Sequence, residues 1–77
     1  MTTKEQLNAI FREVFDDDTI QIEPETTADD VEGWDSMSHV NLILAIENKF
    51  NIRFGQRELL SFKNVGDLLN SIESRIT

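Results

Sequence analysis

Five consecutive residues, Gly33-Trp34-Asp35-Ser36-Met37, hold the side chains of this sequence best placed to do chemistry. They close an acidic stretch and open the most apolar segment, Val40 to Phe50. Asp35 is a preferred helix N-cap type, which puts Ser36 in the first helical turn. A serine hydroxyl there is exposed, beside unpaired backbone N–H groups at the positive end of a helix dipole. Both favour negative charge, so the position suits a phosphate ester. The same residues also allow a plainer reading, in which Asp35 only caps a helix and Ser36 follows it.

Other chemistries fit the sequence less well. A hydrolase built on Ser36 needs a general base in reach, and His39, the only histidine, is the sole candidate. No third group or oxyanion site accompanies it, so His39 reads as a packed side chain. The run Asp16-Asp17-Asp18 invites a calcium loop, but Ile20 takes its fifth position and the sixth has no glycine. No metal site is expected. The chain has no cysteine, which excludes disulfides and thiolate metal centres. Any thiol chemistry must use a thiol that a cofactor brings.

The elements that position Ser36 are helical. Leu7, Ile10, Phe11, Val14 and Phe15 fall on one face of a helix over roughly Lys4 to Phe15. Thr2 or Thr3 can open it with Glu5 or Gln6 in a capping box. Asp16 to Asp35 is a long loop, pinned by Ile20, Ile22 and Val31, with Pro24 blocking helix through its middle. A short helical turn is available near Ala28 to Val31.

Residues 36–50 form the second helix. Leu42, Ile43, Ile46 and Phe50 share one arc, with His39 inside it. Met37, Val40 and Leu44 make a second apolar strip beside Glu47, and Ser38, Asn41, Asn48 and Lys49 lie opposite the core arc. That second strip is either extra core or a recognition face. Gln56 to Ser61 can make a short third helix carrying Leu59 and Leu60. Asn64 caps a last helix whose Val65, Leu68, Leu69, Ile72 and Ile76 share a face. The expected fold is all-α: one domain over residues 1–77, with three longer helices, one short helix and a long loop after the first.

With 77 residues the chain suffices for one small domain. No apolar stretch approaches the length of a membrane span and no charged leader precedes an apolar run, so a cytoplasmic protein is expected. The net charge is −8. Residues 1–35 hold eleven acids against two bases, and residues 36–77 hold four acids against five bases. Such a field repels nucleic acid and anionic membrane and attracts basic protein surfaces.

Asp35-Ser36-Met37, followed by Val40, Leu42-Ile43, Ile46-Glu47 and Phe50-Asn51-Ile52, resembles the carrier-site signature of acyl carrier proteins. Phe62-Lys63-Asn64-Val65-Gly66-Asp67-Leu68 resembles that family's entry into its last helix. The resemblance covers nearly the whole chain. It implies that Ser36 carries covalent 4′-phosphopantetheine and that Asp35 helps the transferase that loads it, by way of that enzyme's magnesium. The cofactor's thiol then holds an acyl or aminoacyl cargo as a thioester, and the chain itself is a non-catalytic carrier. The implied partners are a phosphopantetheinyl transferase, an acyl- or aminoacyl-activating ligase, and an acyltransferase or synthase of the kind serving fatty-acid or polyketide biosynthesis. They would recognise the second helix through Met37, Val40, Asn41, Leu44 and Glu47, and a monomer is expected.

The sequence departs from the family on that helix. Carriers for fatty-acid synthesis typically line it with acids, whereas Ser38, Asn41 and Asn48 stand here and leave Asp35 and Glu47. Trp34 before the Asp-Ser pair is also not the commonest choice. A dedicated carrier for a specialised pathway is therefore expected. The alternative is an unloaded interaction module of the same fold, docking through the second helix.

Overall fold

The computed structural model describes residues 2–76. Their helices are α1 (Thr3–Val14), α2 (Ser36–Phe50), α3 (Gln56–Leu59) and α4 (Val65–Ile76), with no strand among the described residues. The all-α expectation holds. Thr2 supplies the first cap, accepting from the Glu5 N–H at 3.1 Å while the Glu5 carboxylate accepts from Thr2 N–H at 3.2 Å. This fixes the register at Thr2 rather than Thr3. The helix ends one residue earlier than the pattern suggests, because Asp16 turns the chain into the left-handed region at φ 51°.

One core joins α1, α2 and α4. Leu7, Ile10 and Phe11 meet Leu42, Ile43 and Ile46 of α2 and Val65, Leu68 and Ile72 of α4, with Ile22 from the long loop among them. Val31 is buried as well, and Ile20 is half-buried. Ile76 shares its helix face with this core but lies in the last turn and is exposed. The third helix is shorter than expected. Its pair of leucines divides, Leu59 packing against the core and Leu60 facing solvent.

The long loop is stapled at both ends by backbone groups. Asn8 on α1 donates to the Ile20 carbonyl at 3.2 Å and accepts from Ile22 N–H at 2.7 Å, and Arg12 Nε donates to the same carbonyl at 2.7 Å. At the far side the first N–H groups of α4, from Val65 and Gly66, donate to Thr26 and Pro24 carbonyls at 2.8 Å each. They are among the donors that a helix start leaves unpaired. A Cβ on Gly66 would stand 3.0 Å from the Pro24 oxygen and 3.2 Å from Asn64 Oδ1, so glycine allows this approach without either having to shift. Between these staples Thr27 to Asp30 forms turns rather than helix. Asp17 is engaged locally, accepting from Thr19 N–H at 2.9 Å.

The short α3 is fastened to α4 through Glu58. Its carboxylate accepts from Ser71 Oγ at 2.8 Å and from the Arg75 guanidinium. Arg75 also lies over the Phe54 ring, 4.9 Å from its centroid.

Candidate functional site

Ser36 stands at the first position of α2, where the long loop arrives. Gly33 makes the entry possible at φ 88°, a conformation in which a Cβ is strained. Trp34 then packs into the domain, edge-on to Phe11 at 5.2 Å between centroids. Asp35 follows as the N-cap. Its carboxylate accepts from Ser38 N–H at 3.0 Å, and Ser38 Oγ accepts from Asp35 N–H at 2.7 Å. The Ser38 N–H, then its hydroxyl, hold the Asp35 carboxyl below the usual aspartate range.

The two serines of this turn have opposite environments. Ser38 is half-buried, and its hydroxyl is anchored to the Gly33 carbonyl at 2.7 Å as well as to the cap. Ser36 is exposed, and its hydroxyl makes no hydrogen bond to any described residue. The exposed, unengaged hydroxyl and the hydroxyl that shapes the helix start are thus separate groups two residues apart.

His39 is directed to partners other than Ser36. Its Nδ1 accepts from the Trp34 indole N–H at 3.1 Å, and its Nε2 meets the Leu59 carbonyl at 2.7 Å. Both nitrogens have partners other than Ser36. The packed reading of His39 holds.

A groove of about 460 Å³ opens beside Ser36, walled by Trp34, His39, Val40, Leu59, Leu60 and Phe62. Asp35 and Lys63 give it a polar edge. Along the outer side of α2 run Met37 at 80% exposure, Val40 at 51% and Leu44 at 52%. The second apolar strip is therefore not extra core. Asn41 is exposed beside it. Glu47 has a structural task at the other end of the helix, accepting from Phe54 N–H at 2.9 Å.

Two features of the site were hidden in the sequence. Ser38 closes the cap, but Asp-x-x-Ser lacks the Glu or Gln of the usual capping box. The Trp34–His39–Leu59 connection joins three segments and leaves no periodic trace.

The comparisons with known proteins agree with this geometry. Residues 5–72 match the family described as phosphopantetheine attachment site. The chain is 36% identical over 73 residues to the acyl carrier protein of Helicobacter pylori, covering 95% of this chain and 94% of that protein. It superposes on the solution structure of a holo acyl carrier protein from Geobacter metallireducens with a TM-score of 0.91 and 46% identity, covering 99% of this chain and 87% of that one. A putative acyl carrier protein from Mycobacterium tuberculosis gives a TM-score of 0.87 at 27% identity, covering 96% and 99%. The chain belongs to the phosphopantetheine-binding proteins and, within them, to the acyl carrier protein family. This is a family of carriers whose cofactor is covalently attached phosphopantetheine. No helix among the described residues is long and apolar enough to cross a membrane.

Proposed function

We propose that residues 1–77 form one carrier domain in which Ser36 is the attachment point of 4′-phosphopantetheine. The observation that carries this is the contrast between the free, exposed Ser36 hydroxyl and the engaged Ser38 hydroxyl. The site fits the group: an unencumbered oxygen nucleophile at a helix N-terminus that favours a phosphodiester. Once bound, the cofactor supplies the thiol that this cysteine-free chain lacks and holds cargo as a thioester. The chain's own residues do the rest by position. Asp35 keeps the helix start in shape through Ser38 and offers a carboxylate to the transferase and its magnesium. Met37, Val40, Asn41 and Leu44 present the face that the transferase, an acyl- or aminoacyl-activating ligase and an acyltransferase or synthase would read, with Glu47 at its edge. The commitment of both His39 nitrogens supports a carrier over a hydrolase.

The scarcity of acids on this face supports a carrier serving a specialised pathway. Of residues 36–50 only Glu47 is acidic, so partners would rely more on the apolar strip than on charge. Incubation with coenzyme A and a broad-specificity transferase, followed by intact mass, tests the assignment. Wild type should gain one phosphopantetheine. A chain left at its unmodified mass, with a known carrier loaded in the same tube, would favour the unloaded interaction module instead.

A further inference from the structure

The connection among Trp34, His39 and Leu59 has a chemistry of its own. An indole N–H only donates, and a backbone carbonyl only accepts. One imidazole form satisfies both partners, the neutral ring with its proton on Nε2. The ring also stacks on Trp34, 21° from parallel with centroids 6.0 Å apart. The result is a bridge from the end of the long loop, across α2, to the end of α3.

The bridge stands between the groove and the core. All three residues line the groove beside Ser36. Behind them, Trp34 meets Phe11, and Leu59 packs against the core cluster. His39 precedes the buried Leu42 and Ile43 by three and four residues, hence shares their helix face. An apolar group tethered at Ser36 gains by leaving water for this groove. Passing deeper between His39 and Leu59 would part their bond and leave polar groups unpaired away from water.

We infer that the Trp34–His39–Leu59 bridge sets the cargo size this carrier can shelter. The groove takes a short or aromatic acyl group, and the bridge bars a long aliphatic chain from the core behind it. His39 acts as a specificity-determining residue, with no contact to the reacting thioester. The aromatic walls from Trp34, His39 and Phe62 suit a flat ring. This inference rests on loading at Ser36, and its test keeps the two apart.

The apo chain is loaded with butyryl-, benzoyl- and dodecanoyl-pantetheine from the matching coenzyme A thioesters, and each product is checked by mass. Two quantities are then read: the rate of thioester cleavage by hydroxylamine, and the NMR signals of the Trp34 indole N–H and the His39 Nε2–H. In wild type the butyryl and benzoyl groups should shift the indole signal and be cleaved more slowly than the free acyl-pantetheine. The dodecanoyl thioester should be cleaved like its free counterpart, with the His39 signal unmoved. In His39→Ala the dodecanoyl thioester should become protected by roughly tenfold or more, since protection follows the free energy of local opening. His39→Gln keeps an N–H donor for Leu59 and should restore exclusion.

Equal protection of the long chain in wild type and His39→Ala overturns the inference, as does no protection in either. Should His39→Ala fail to fold, wild type alone decides: dodecanoyl protection with loss of the His39 signal means the bridge yields, and the inference fails. A wild-type chain that never gains mass rejects the carrier assignment itself.

Discussion

Leu42 and Leu44 sit two residues apart on α2 and separate a core role from the proposed docking role. Leu42 has no exposure and belongs to the core cluster, whereas Leu44 is 52% exposed. Truncating Leu42 to alanine removes buried atoms and leaves a cavity, at a cost of about 2–5 kcal/mol. In a domain of 60–100 residues each 1 kcal/mol moves the melting midpoint by about 4–8 °C, so Leu42→Ala should lose about 8 °C or more on that scale. Leu44→Arg is different. Full burial of a leucine is worth about 1.5–3 kcal/mol, and Leu44 realises roughly half of that. The arginine stem covers part of the same surface, and both residues are good helix formers. The net loss should stay near or below about 1 kcal/mol. Circular dichroism and thermal melting check the fold, and transfer of a loaded cargo to a partner enzyme checks the surface. Leu44→Arg should melt within a few degrees of wild type yet transfer cargo slowly. A midpoint loss as large as that of Leu42→Ala would refute the docking role and place Leu44 in the core.

Three further outcomes follow from the site and its supports. Ser36→Ala should abolish loading by mass with an unchanged melting midpoint, since no hydrogen bond is lost; Ser38→Ala should still load but melt lower, since its hydroxyl's bonds to the Asp35 N–H and the Gly33 carbonyl are both lost, each near 1 kcal/mol and so worth about 4–8 °C. Glu58 has its carboxyl held below the ordinary 4.5 by the Ser71 hydroxyl first, then Arg75 and the Gly55 N–H. The sign follows: its stabilisation is present above 4.5 and fades as pH falls through the lower folded value, so the gap in melting midpoint between wild type and Glu58→Gln should close in acid. A gap that persists unchanged well below that range would detach Glu58 from acid unfolding. Finally, eleven acids in residues 1–35 repel one another, so sodium chloride should raise the melting midpoint as the Debye length shrinks to about 8 Å at physiological strength; a flat response would show that the acids are too dispersed to matter.

The helices were legible because burying one face of a helix imposes a period that survives in the sequence. Leu7, Ile10 and Phe11, and Val65, Leu68 and Ile72, follow it and are buried. The start of α2 was legible because Asp35 is a cap type and Ser36 follows it. The division of α2 into two apolar strips was visible, but not which strip the core takes, since both have helical spacing. What decides it is the placement of α1 and α4 against Leu42, Ile43 and Ile46, a tertiary fact. The loop staples escaped for another reason. Asn8 and Arg12 look like ordinary polar residues on α1, yet they satisfy the Ile20 carbonyl and Ile22 N–H. Backbone groups of a partly buried loop need partners wherever the chain brings them, and no spacing rule announces which side chains oblige.

The same accounting explains why the start of α2 is held so firmly. On the proposal that Ser36 is loaded, a transferase must bring its oxygen to a phosphate within a narrow geometry, and a misplacement of about 1 Å can cost on the order of a hundredfold in rate. The Ser36 hydroxyl makes no hydrogen bond to any described residue. Its position is set by its neighbours: Gly33 turning the chain, Trp34 against Phe11, Asp35 and Ser38 in mutual bonds, and His39 tied to Leu59. Each contact falls on a residue other than the one left free. The strip begins at the next residue, with Met37 largely exposed and Val40 and Leu44 about half exposed. A strip left exposed in this way is what the proposed reading of α2 by partner proteins requires.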